Sequence, residues 1–70
     1  MNPDYVRVAD FLFGLSVIIS EHGNVDVALS LLDEVIKIRK KVIGKDDASV
    51  ADALYQKGLV YLDEAGDIEA

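Results

Sequence analysis

Apolar residues recur along this chain at steps of three and four, and the pattern is interrupted at Gly23, Gly44 and Gly66. Tyr5, Val8, Ala9, Phe11, Leu12, Leu15, Ile18 and Ile19 form a broad apolar stripe at helical spacing. Pro3 suits the first position of a helix, where its missing N–H has no intrahelical partner, and Asn2 before it can cap. Gly23 can take the left-handed backbone that ends a helix, and Asn24 reads as a turn residue and N-cap. The pattern therefore predicts a first helix over residues 3–22 and a second beginning at Val25. A junction this short makes the two antiparallel.

The second segment, 25–43, places Val25, Ala28, Leu29, Leu32, Val35, Ile36, Val42 and Ile43 on an inner side. Asp26 lies in its first turn and Lys37, Arg39, Lys40 and Lys41 in its last turns, which suits the helix dipole at both ends. That basic run reads as a solvated helix end, with Asp33 and Lys37 as a favourable pair one turn apart. Gly44 is a stop signal, and an aspartate of Lys45-Asp46-Asp47 can cap a third helix over 48–64. Its expected apolar face is Val50, Ala51, Leu54, Gly58, Tyr61, Leu62 and Ala65. Gly66-Asp67 resembles the Gly23-Asn24 turn, so Ile68-Glu69-Ala70 would open a fourth helix.

Composition narrows the class. Seventy residues make one domain at most, and a domain of this size buries only about 60% of its unfolded surface. It contains no cysteine, which excludes a disulfide framework and a thiolate zinc site. At 51% hydrophobic the chain is too apolar to be disordered. The net charge of −6 repels phosphate backbones and anionic lipid, so nucleic acid is not an expected partner, and basic or apolar protein surfaces are. No apolar run approaches the roughly 18 residues of a membrane span, and the N-terminus lacks a signal-peptide shape. These features point to a soluble protein of a reducing, cytoplasmic compartment.

The chain also repeats itself. Val8-Ala9-Asp10 aligns with Val50-Ala51-Asp52, a period of 42 residues, and Leu12, Phe13, Ser16 and Ile19 then fall over Leu54, Tyr55, Gly58 and Tyr61. Repeats of this length signify stacked helical units. A small residue at Ser16 or Gly58 lets a facing helix approach, with Ala28 as the other half of the contact and Leu12, Ile19 and Leu32 filling the space beside it.

These residues resemble a tetratricopeptide repeat of the long-helix type found in kinesin light chains. The resemblance runs through Val8-Ala9, Leu12, Leu15-Ser16, Ile18-Ile19, Gly23, Val25, Ala28, Leu31-Leu32 and Val35-Ile36 to Ile38-Arg39, Lys41 and Ile43-Gly44, then Val50-Ala51. The run over 38–44 is its most specific part. The family's His-Pro in the loop between repeats is replaced by Asp47-Ala48, its second-helix tyrosine by Leu32, and its paired groove asparagines by Phe13-Gly14 and Tyr55-Gln56. The resemblance implies an all-α fold, an antiparallel helical hairpin plus a third helix, equal to one and a half repeats of an α-solenoid within residues 1–70.

By resemblance the first helix of each unit lines a concave groove. The groove positions are then Asp10, Phe13, Gly14, Val17, Ser20 and Glu21, repeated as Asp52, Tyr55, Gln56, Leu59, Leu62 and Asp63. Asp10, Phe13, Val17, Glu21, Tyr55, Gln56, Leu59 and Leu62 are the candidate partner-binding residues. Phe13, Val17, Tyr55 and Leu59 either form an apolar binding strip flanked by acids or pack between neighbouring helices.

Catalytic chemistry finds little footing. His22 is the sole histidine, and beside Gly23 its expected job is to engage the last carbonyls of the first helix. Ser20, His22 and Asp26 sit across a helix end and a tight turn with no nucleophile elbow, so a triad is not expected. Asp46-Asp47 with Asp52 lacks the central glycine and terminal glutamate of a calcium loop. No phosphate-binding glycine motif occurs. The expectation is a non-enzymatic chain without metal or cofactor, a scaffold element that holds a partner's peptide or helix on its concave face. The alternative is a structural subunit or assembly factor, self-associated or permanently docked in a larger complex. Fewer than about three repeats do not normally stand alone, so the chain is expected to dock onto another copy of itself or a larger complex, or to be a fragment of a longer repeat array.

Overall fold

The computed structural model describes the backbone of residues 3–66 and side-chain surroundings over 4–62. It contains α1 (Pro3–Glu21), α2 (Val25–Val42) and α3 (Ala48–Gly66). These helices match the spans read from the sequence to within two residues. The largest difference is at the end of α3, which runs through Gly66, so the expected turn does not begin there. The Asn2 cap, Asp67 and the expected fourth helix lie outside the described residues.

Local chemistry accounts for the helix ends at the two junctions. At the end of α1, Gly23 has φ 89°. Its N–H donates to the Ser20 carbonyl at 2.9 Å, while the Asn24 N–H donates to Ile19 at 3.1 Å. This paired pattern satisfies carbonyls that the helix itself leaves without donors. His22 Nδ1 donates to the Ile18 carbonyl at 2.9 Å, the role expected of it. Asn24 Oδ1 accepts from the Val27 N–H and caps α2. Gly44, at φ 135°, lies where a side chain is strained, and its N–H donates to Arg39 O at 3.0 Å to close α2. Asp47 then caps α3, its Oδ2 accepting from the Ser49 N–H at 2.9 Å.

The helices form an all-α, elongated body of 45 × 20 × 13 Å. α1 and α2 make the most extensive pairing, an antiparallel hairpin; α3 packs on α2 less extensively and barely meets α1. A small residue permits close packing on each helix: Ala9 and Ser16 on α1, Ala28 on α2 and Ala53 on α3 are fully buried. The Ser16 hydroxyl donates to the Phe13 carbonyl at 2.6 Å, which satisfies it away from water. Leu32 and Val35 are the largest fully buried apolar side chains of α2. Ala9, Val35, Ile36, Val50 and Ala53 bring all three helices into one cluster, with Leu12, Phe13 and Ile38 against it.

Two sequence expectations about faces are corrected. On α3 the buried line is Val50, Ala53 and Val60, whereas Leu54, Tyr61 and Leu62 are exposed. On α1 the outer part of the apolar stripe, Tyr5, Val8, Phe11 and Ile18, is likewise exposed. Both helices carry apolar stripes wider than a single neighbour can cover, and each has α2 on one side only.

Candidate functional site

The charge run at the end of α2 divides. Lys37, Lys40 and Lys41 are exposed, as a solvated end requires, but Arg39 is 7% exposed and occupies the junction of the three helices. Its Nη1 donates to the Ser49 carbonyl of α3 at 2.8 Å, and its Nη2 donates to Asp10 Oδ1 of α1 at 3.0 Å. Its guanidinium lies 5.0 Å from the centroid of the Phe13 ring, in reach of a cation–π contact. Nε is buried without a hydrogen-bond partner, so the junction is incompletely satisfied. Sequence reasoning missed this role by treating the four basic residues as one group. The available signal was spacing: Ala28, Leu32 and Val35 continue at the next step to position 39, so Arg39 lies on the buried stripe.

A second polar link joins α2 to α3. Lys57 Nζ donates to Asp33 Oδ1 at 2.6 Å, so Asp33 pairs across helices rather than with Lys37 one turn along. This hydrogen bond holds the Lys57 ammonium above its ordinary pKa. Ser49, through its side chain and then through the backbone N–H that bonds Oδ2, lowers the Asp47 carboxyl below its usual value.

The candidate groove residues meet different fates. Asp10 and Phe13 are brought together by Arg39, although the Asp10 side chain remains 63% exposed. Val17, Gln56 and Leu59 are half-buried, while Glu21, Tyr55 and Leu62 are exposed. Tyr55 at 70% and Leu62 at 64% lie two turns apart on one side of α3. Gly14 and Asp52 are exposed and Ser20 half-buried; Asp63 falls outside the described side chains.

The 42-residue correspondence between α1 and α3 extends to burial. The residues that α3 buries, Val50, Ala53 and Val60, stand 42 positions after Val8, Phe11 and Ile18, which α1 leaves open. Conversely Ala9 and Ser16, fully buried on α1, correspond to Ala51 and Gly58, which are exposed on α3. The space that a Cβ would occupy at Gly58 is empty out to 4 Å. Each of the two related helices thus covers one of two equivalent faces and exposes the other.

Among the described residues, no group of three or more histidine, cysteine or acidic side chains could hold a metal ion. No described helix is long and apolar enough to cross a membrane. Comparison with protein-family models, with curated proteins and with solved structures found no match to the chain.

Proposed function

We propose that the chain is a non-catalytic protein-interaction module of tetratricopeptide-like architecture, which seats a helix or peptide of a partner protein against its apolar helix faces. The observation that carries this reading is the exchange of covered and open faces between α1 and α3. A helical stack with an unfilled position at each end has that pattern, because every interior helix of such a stack is covered on both sides. Apolar groups retained on the open sides, Tyr55 and Leu62 among them, are what a partner-binding surface needs and what water alone does not favour. Val17 and Leu59 extend the proposed strip, with Asp10 and Glu21 as acidic flanks suited to a basic ligand.

Selection of helical peptides by the immobilised 70-residue chain tests the proposal. Enriched peptides are expected to lose binding to Leu62→Asp or Val17→Asp. Ligands indifferent to both substitutions would overturn the strip.

Phe11, 67% exposed on the open side of α1, favours a second reading in which the open sides of α1 and α3 are both covered within a larger complex. A structural subunit of that kind would not exchange its partner in a competition pull-down, whereas a binding module would.

A further inference from the structure

We propose that the open face of α3 is the docking site for an arginine-bearing amphipathic helix of a partner protein. This rests on the reading of the chain as a partner-binding module and specifies the ligand for one face. The template is internal. On α1 the face containing Ala9 and Ser16 is covered, and the covering helix α2 brings Arg39 to Asp10 Oδ1 and over the Phe13 ring. The same constellation stands 42 residues later as Asp52 and Tyr55, both exposed. Among the described residues nothing pairs with Asp52.

Gly58 occupies the place of the buried Ser16, with open space where a Cβ would stand, and exposed Leu54 and Tyr61 lie one turn to either side. A helix can therefore approach closely at Gly58 and bury large apolar groups on both sides. Its arginine would bond Asp52 and stack on Tyr55, a charge-assisted contact with a planar partner that lysine does not reproduce.

A second copy is a poor occupant. The helix that fits is of the α2 type, and each copy's own α2 has Ala28, Leu32 and Val35 fully buried within its hairpin. Two chains of net charge −6 also repel, whereas a basic helix is attracted.

A labelled synthetic peptide of residues 24–44, the α2 segment itself, serves as the probe in fluorescence anisotropy against the intact chain. Saturable binding is expected. Replacing the peptide's arginine by alanine, or Asp52→Asn in the protein, should weaken it about tenfold, and the two together little further, because they remove one shared contact. Gly58→Leu should abolish binding without lowering the thermal midpoint followed by circular dichroism, since the leucine enters open space. Absence of peptide binding overturns the proposal. Binding that ignores both Asp52→Asn and Gly58→Leu also overturns it, since the peptide is then exchanging with the chain's own α2. So does a dimer by light scattering that Gly58→Leu dissociates. If selected peptides still require Leu62 while the α2 peptide does not bind, the docking inference alone fails and the interaction module stands.

Discussion

Removing the guanidinium of Arg39 while keeping a stem of similar length isolates what the three-helix junction contributes. In Arg39→Met the chain loses the bond from a charged donor to Ser49 O, a class of contact that contributes about 1.5–3 kcal/mol. The pair with Asp10 is largely solvated on the acid side and adds about 0.5 kcal/mol. The Phe13 contact adds about 0.5–1 kcal/mol. Against these, the substitution relieves the buried, unpartnered Nε, which costs the native protein about 1 kcal/mol. The expected net loss is about 1.5–3.5 kcal/mol, a large part of the roughly 4–10 kcal/mol that holds a domain of this size together.

Urea unfolding followed by far-ultraviolet circular dichroism measures this loss as a lower midpoint at constant slope. Arg39→Ala should lose more, because the aliphatic stem no longer packs, and Arg39→Lys less, because an ammonium replaces the fork at only one of its acceptors. A Met variant within about 0.5 kcal/mol of the parent would refute the reasoning, for a buried ionic group can be neutral against an apolar replacement when its desolvation equals its contacts. The apolar cluster alone would then hold α3 to the hairpin.

Further expectations follow from single positions. Gly14 sits inside α1 with open space at the Cβ position, so Gly14→Ala should stabilise the chain by about 1 kcal/mol in the same unfolding assay. Asp47 titrates lower in the folded chain than in the unfolded one, so the unfolded state takes up its proton first as acid is added. Its stabilising contribution is present above the ordinary aspartate range and lost as pH falls through the folded pKa. The thermal midpoint of Asp47→Asn should accordingly fall less steeply on the acid side than that of the parent.

Much of the local structure was legible because it depends on near neighbours in the chain. Gly23 and Gly44 mark backbone that only glycine enters freely, Asn24 and Asp47 cap the helices that follow them, and His22 reaches a carbonyl four residues back. Each of these contacts closes within a few residues, so sequence spacing is nearly sufficient to specify it. The small residues Ser16 and Ala28 were legible as a packing site for a related reason, since their neighbours at helical spacing are large.

The candidate site was legible only in part. Tyr55 and Leu62 are exposed on α3, but Asp10 and Phe13 are engaged by an arginine that its run of basic neighbours had placed in solvent. An apolar stripe specifies that a helix has something to bury; it does not specify how many neighbours are present to bury it.

The sequence by itself determined three helices, the two junctions between them and the 42-residue relation between the first and the third. Tertiary structure decided which of two equivalent faces each related helix covers, and that Arg39 turns inward between α1 and α3. The physical reason is that burial is a property of pairs of helices. With α2 between them, α1 and α3 meet it with opposite faces, so Ser16 is sealed while Gly58, its counterpart, stays open.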